Sequence, residues 1–476
     1  MEVLEKPDHL YLEVASRIES LIDKGALKIG DRLLSVRALS KEQGISLSTA
    51  FQAYYYLESK GLIEARPQSG YYVKFSPQLP FDVPAICEPT DEALPVSVDE
   101  MISSVYHDLR SPKLTSFSLS APDASLLPAA KLNKSVIHSL RNEPDHCLSY
   151  EHIQGNEKLR KQIARLSFNW GGSLSEDDLV VTAGCMEAIS FCLQAVTKPG
   201  DAVATESPTF YGIFRVMQSL GLKVVEVPTD PVTGIDLNYL QQALDRFDIK
   251  ACVFVPNFNN PLGSCVPDDR KKQLVDMLAK KEIPLIEDDI YGEMYFGKTR
   301  PRTCKTYDKK GLVLHCGSFS KSLAPGYRIG WAAPGKFKKQ VIQLKRMNNV
   351  ATNTLAQVSI AHFLQNGRYE LHLRHLRKAL HTQSLKYMQA ITEYFPESIR
   401  IARPQGGFVF WVEMEKHADG FKLHKQALKH NIGIAPGQIF SAQGQFHNYF
   451  RLSYGMPWSE KIEKGLRTLG ELIRKQ

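Results

Sequence analysis

The chain has 476 residues, 43% hydrophobic and 23% charged, the balance of a globular protein large enough for two or three domains. Its longest apolar stretches are short and interrupted, which excludes a membrane-spanning helix. The N-terminus lacks the basic and apolar regions of a secretory signal, so the expected location is cytoplasmic. The net charge is +8, yet residues 1–76 carry ten Lys/Arg against ten Asp/Glu, so bulk charge does not point to nucleic acid and arrangement must decide.

Leu10, Val14, Ile18, Leu21 and Ile22 recur at helical spacing, with Asp8 to cap the helix and Gly25 to end it. Ser35 is the predicted N-cap of a second helix, Val36 to Gln43, stopped by Gly44. Ser46 then caps a third, which runs to about Ser59 with Gly61 behind it. Two helices joined by a tight glycine turn form a helix-turn-helix, whose second helix can enter a major groove. Leu62–Arg66 and Tyr71–Phe75 flank Pro67-Gln68-Ser69-Gly70 and read as a β-hairpin wing. Architecture alone serves protein binding as well as DNA binding.

The wording is more specific. Gly30-Asp31-Arg32-Leu33-Leu34-Ser35-Val36-Arg37, Ser46-Leu47-Ser48-Thr49, Ala53-Tyr54, Leu57-Glu58, Gly61 and Gly70-Tyr71-Tyr72-Val73 resemble the GntR-type winged helix-turn-helix. The resemblance implies that Arg37 touches a phosphate or base, that Ser46, Ser48 and Thr49 face double-stranded DNA, and that Arg66 lies near the minor groove. Two positions depart from it: Leu34 replaces a usual proline, and Leu47 replaces a common arginine and could meet a thymine methyl instead.

Residues 77–115 form the predicted linker. Five prolines between 77 and 95 are too dense for helix or sheet. Ser97 to Leu109 is a predicted short helix with Val98, Met101, Ile102 and Val105 apolar.

The remainder, 116–476, is organised around Ser318-Phe319-Ser320-Lys321, which follows an apolar run, Leu312 to Leu314. A lysine amine condenses with an aldehyde cofactor, and Ser318, Ser320 and Arg328 suit a phosphate. Taken alone, this is also how an exposed loop lysine looks. Asn260-Pro261-Leu262-Gly263, Asp288-Asp289-Ile290-Tyr291 and Arg451-Leu452-Ser453-Tyr454-Gly455 occur with it, two of them closing strand-like runs. Together they resemble the fold-type I aminotransferases. The implied fold class is α/β: a mixed sheet with flanking helices and a smaller C-terminal α+β domain from about residue 340.

The resemblance implies pyridoxal 5'-phosphate on Lys321. Gly184, Cys185 and Met186 would bind its phosphate at a helix N-terminus, together with Ser318, Ser320 and Arg328. Asp288 would pair with the pyridine nitrogen, and Asn260 and Tyr291 would bond to the phenolic oxygen. Phe210 would stack on the ring, although a core phenylalanine looks the same; Asn260-Pro261 could equally be a plain turn. Tyr150 would reach a partner subunit's cofactor, or be a half-buried interface tyrosine. Arg451 would fork onto a substrate carboxylate, and Ser120 stands where a glycine usually meets that group.

Eight scattered cysteines without a C-x-x-C pair read as reduced thiols. Gly330 to Phe337 nearly spells a phosphate-binding loop, but Phe337 stands where Ser or Thr must hold magnesium. His372 and His375 lie among cations and read as part of a solvated basic helix. From end to end the chain resembles the MocR subfamily of regulators. That implies a homodimer, with heads often lying on the partner's body, that binds an operator and a small amino effector or substrate. A working aminotransferase tethered to DNA, and a vitamin B6 sensor without an amino substrate, are the rival readings.

Overall fold

The computed structural model describes residues 10–24, 26–28, 30–66, 69–74, 81–89, 92–95, 102 and 114–476. The head begins with α1 (Leu10–Asp23), α2 (Val36–Gln43) and α3 (Leu47–Ser59), followed by the hairpin strands β1 (Ile63–Arg66) and β2 (Gly70–Val73). Asp8, Gly25, Pro67 and Gln68, named above as cap, stop and wing tip, lie outside the described residues. Val14, Ile18 and Ile22 turn inward from α1, while Leu10 and Leu21 of the same pattern stay exposed. Ser35 caps α2 by accepting the Ala38 N–H, and Gly44 ends it at φ 61°. Leu34 costs the fold little: its carbonyl accepts from the buried Tyr54 hydroxyl at 2.7 Å, and the Tyr54 ring leans on Tyr71.

Of the proline-rich stretch, residues 81–89 carry no helix or strand, but Leu94–Pro95 corrects the expectation that no sheet forms there. Leu94–Pro95 pairs antiparallel with Val224 and Lys223 at the sheet edge, where a residue without an N–H is tolerated. Residues further back are fastened to the body. Ala85 N–H donates to Glu413 Oε2 at 2.7 Å, and the Ala85 carbonyl accepts from the Tyr449 hydroxyl at 3.3 Å. Of the helix predicted from Ser97 to Leu109, only Ile102, which is buried, lies among the described residues.

The large sheet runs in the order Leu94–Pro95, Lys223–Asp230, Ala202–Ser207, Ile249–Phe254, Leu285–Asp288, Val313–Ser318, Gly330–Ala333, Val180–Thr182. The strands from Lys223–Asp230 to Val313–Ser318 are parallel to one another; Leu94–Pro95 at one edge and the last two strands pair antiparallel. Leu285–Asp288 and Val313–Ser318 are buried throughout, which is why they read as unbroken apolar runs. Their carboxyl ends, where ligands gather in such sheets, carry Asp288 and Ser318. A second sheet, ordered Arg400–Ile401, Val409–Glu413, Tyr449–Ser453, Ala435–Pro436, is antiparallel and presents Arg451.

The head rests on its own body. Gly61, at φ 72°, lies so close to the long helix Arg368–Tyr394 that a Cβ there would sit 2.6 Å from Leu385 Cδ1. Beside this seat is a cavity of about 960 Å³, walled by Tyr56 and Lys60 of the head and by Phe258, Tyr295 and His381 of the body.

Candidate functional site

Two hydrogen-bonded groups meet at Lys321. The first forms a cradle. Gly184 is the N-cap of the helix Cys185–Val196, which no side chain caps, so its first-turn N–H groups remain for an anion. Arg328 donates to Ser320 Oγ at 3.1 Å and to the Ala183 carbonyl at 3.2 Å. Ser318 Oγ donates to Ser320 Oγ and lies 2.9 Å from the Ile329 carbonyl. Only glycine allows this closeness: a Cβ on Gly184 would lie 2.2 Å from Arg328 Nη2, and one on Gly330 would lie 2.5 Å from the Gly184 carbonyl carbon.

Asp288 lies beneath, buried at the end of its strand. Its Oδ1 accepts from the Cys185 thiol at 3.2 Å and from the Ile290 N–H at 3.1 Å. Burial pushes its pKa up to about 6, against those two hydrogen bonds. A carboxylate so placed lacks a cationic hydrogen-bond partner among the described residues, and a protonated ring nitrogen supplies one. Burial and the neighbouring carboxylate push the Cys185 thiol well above its ordinary range, so it acts as a donor.

The second group surrounds the amine. Lys321 Nζ donates to the Ser120 carbonyl. Burial first, then the charge of Arg451, lowers the lysine pKa to about 8, while Asp288 opposes the shift. Ser120 Oγ lies 3.1 Å from the Tyr291 hydroxyl, so the serine that replaces a glycine is bound into the site. Asn260 Nδ2 donates to the same hydroxyl at 3.1 Å, whose pKa burial raises to about 12. Arg451, 1% exposed, donates from Nη1 to Asn260 Oδ1 at 2.8 Å and from Nη2 to the Ser118 carbonyl. Its buried Nε has no partner among the described residues, an open donor for a second anion.

Other predicted residues stand apart from this network. The Phe210 ring lies 4.5 Å from that of Tyr211, a contact that serves packing as well as stacking. Met186 is partly buried against the core, and its side chain adds no hydrogen bond. Tyr150 is 89% exposed. In the head, Ser46 caps α3 and binds Ser48 and Thr49. Arg37 is exposed, and Arg66 pairs with Glu64 and lies over the Tyr72 ring.

Several contacts were not foreseen. Asp289 pairs with Arg300 at 2.5 Å, Arg300 with Glu293 at 2.8 Å, and Asn257 donates to Asp289 at 2.8 Å. Burial alone would raise the Asp289 pKa; Arg300 and His315 outweigh it and hold the carboxylate low. This network braces the Asp288–Tyr291 corner. The Cys185–Asp288 bond joins residues 103 apart and had no local signal. His372 corrects the solvated-helix reading: it is buried, with Nε2 2.7 Å from the Ser322 carbonyl, beside a Tyr369–Ser322 bond also of 2.7 Å. His375 stays exposed.

An anion cradle, a buried carboxylate for a ring nitrogen, a lysine of lowered pKa and a phenol beside it together fit pyridoxal phosphate. The comparisons agree. Residues 114–469 match the family model for aminotransferase class I and II, and residues 10–73 match that for bacterial regulatory proteins of the gntR family. The chain is 37% identical to the uncharacterized HTH-type transcriptional regulator YjiR of Escherichia coli, covering 97% of this chain and 98% of that one. It is 38% identical to YdcR of the same organism, also an uncharacterized HTH-type transcriptional regulator, covering 98% and 99%. Among solved structures it resembles LysN, the alpha-aminoadipate aminotransferase of Thermus thermophilus complexed with N-(5'-phosphopyridoxyl)-L-leucine. That match has a TM-score of 0.72 and 26% identity, over 80% of this chain and 99% of that one. The chain therefore belongs to the aminotransferase class I and II family through its body and to the MocR subfamily of GntR-type regulators as a whole, a pyridoxal-phosphate-dependent body headed by a GntR-type DNA-binding domain.

Proposed function

We propose that this protein is a DNA-binding transcriptional regulator whose body takes up pyridoxal phosphate and an amino compound, and whose head is presented to DNA according to that uptake. The observation that carries the reading is one polypeptide holding both a winged helix-turn-helix and the Lys321–Ser120–Tyr291–Asn260–Arg451 network. The assignments are as follows: residues 1–76 as head, 77–115 as linker and 116–476 as body, acting as a cytoplasmic homodimer on an operator. Tyr150 and the neighbouring Leu148, each 89% exposed, would be covered by the second subunit.

When bound, the cofactor supplies an electrophilic carbon and an electron-accepting ring. The protein does the rest. Gly184, Cys185, Met186, Ser318, Ser320 and Arg328 hold the phosphate. Asp288 keeps a proton on the ring nitrogen. Tyr291 and Asn260 would bond to the phenolic oxygen, and Arg451 would take the carboxylate of the amino compound through its open Nε. With no cofactor bound, Lys321 Nζ is held by the Ser120 carbonyl. Arg451 lies on the same strand as Tyr449, whose hydroxyl holds the linker at Ala85, so a change at the carboxylate grip has a contiguous path toward the head.

The test is operator affinity of the full-length protein with and without pyridoxal phosphate and a panel of amines and amino acids. Differential binding to two body conformations gives a change of about 5–150-fold; equal affinity throughout overturns the regulatory reading. The complete residue set keeps transamination as a second reading, which steady-state turnover across amino donors would reveal.

A further inference from the structure

We infer that the outward face of α3 reads A·T base pairs in the major groove through Leu47, Phe51 and Gln52, rather than through the hydroxyls at its start. The inference rests on the DNA-binding reading and makes it specific.

The hydroxyls are already committed. Ser46 Oγ accepts the Thr49 N–H at 3.0 Å and lies 2.9 Å from Ser48 Oγ and 2.8 Å from Thr49 Oγ1. Engaging Ser46 on a base edge would compete with the cap that starts the helix, and the Ser48 and Thr49 hydroxyls are turned back toward it. What α3 presents to solvent beyond that turn is apolar. Leu47, Phe51 and Tyr55 are 54%, 53% and 61% exposed, and their spacing of four places them in one stripe. The opposite face is the ordinary core-facing one, with Ala50, Ala53, Tyr54 and Leu57 buried. The helix thus has two apolar faces and buries one.

The occupant of the other follows from chemistry and charge. The first acidic residue along α3 is Glu58, and its carboxylate is engaged by the Ala65 N–H at 3.0 Å. Nothing earlier on the helix repels a phosphate backbone, while Arg37 and Arg66 flank it in the chain. At a major-groove edge the thymine C5-methyl is the apolar group, and leucine and phenylalanine are its counterparts. Exposed Gln52 has no side-chain hydrogen bond among the described residues, and a glutamine amide spans adenine N6 and N7. Guanine O6 and N7 call for arginine or lysine, and α3 carries neither. The face therefore matches A·T pairs and not G·C.

The test uses wild-type full-length protein loaded with cofactor. Selection from random duplexes is expected to yield a core rich in A·T. In that core, replacing a contacted thymine with deoxyuridine removes one methyl and should weaken binding about fourfold. Replacing adenine with 7-deazaadenine should weaken it about tenfold. Leu47→Ala and Phe51→Ala should bind the thymine and deoxyuridine duplexes alike, and Gln52→Ala should ignore the deaza substitution. A G·C core, or unchanged affinity for the deoxyuridine duplex, overturns this inference alone. Failure to bind any duplex overturns the DNA-binding reading with it. Dissociation of the protein on Phe51→Ala would assign the stripe to a second copy of the chain and also overturn it.

Discussion

Opposed charges act on Lys321 in addition to its burial: Arg451, and more weakly Arg328, lower its pKa and Asp288 raises it, with the balance near 8. Between that value and the ordinary 10.5 the unfolded chain binds a proton that the folded chain does not. Stability of the cofactor-free protein from this group therefore rises with pH across that window, and the cost of burial is felt below it. Uptake of pyridoxal phosphate needs the neutral amine, so its rate should climb as pH rises through about 8. Stopped-flow absorbance of the apoprotein would show it. Arg451→Gln removes a repelling charge and should move the transition to higher pH. Asp288→Asn removes an attracting one and should move it lower. Shifts of the same sign in both variants would contradict this account.

At the scale of elements, the cradle depends on how closely the strand Gly330–Ala333 approaches the turn before the helix Cys185–Val196. A methyl on Gly330 would meet backbone, the Gly184 carbonyl carbon at 2.5 Å and the Cys185 nitrogen at 2.8 Å, neither of which can rotate away. Gly330→Ala should cost roughly 1–3 kcal/mol through overpacking and weaken cofactor affinity at least tenfold while leaving DNA binding by the head intact. Spectroscopic titration and a gel-shift assay separate the two effects. Much of this was legible in advance. α2 and α3 lie where Ser35, Gly44 and Ser46 marked them, because caps and stops are local. Asn260, Asp288, Tyr291 and Lys321 converge because they end or follow strands at one end of the large sheet, and Arg451 meets them from the middle of a strand in the second sheet. What escaped were side-chain pairings that no residue pattern announces: the Asp289–Arg300–Glu293 brace, the thiol on Asp288, and His372 under Ser322. The edge strand Leu94–Pro95 escaped because its partner, near Lys223, is more than a hundred residues away.

For the whole molecule, the stretch between head and body matters more for where it is attached than for its composition. Proline density alone describes a spacer with reach. The Ala85 bonds to Glu413 and Tyr449, the Asp82 carbonyl on the Ile401 N–H, and the Leu94–Pro95 pairing take most of that reach away. In the proposed homodimer, a tether stapled in this way would set the separation of the two recognition helices by protein geometry, not by chain flexibility. The operator should then behave like a ruler. Five base pairs inserted between its half-sites rotate one of them to the far side of the duplex and should abolish cooperative binding. Full turns of about 10 base pairs restore the facing, and footprinting across such a spacing series would display the periodicity.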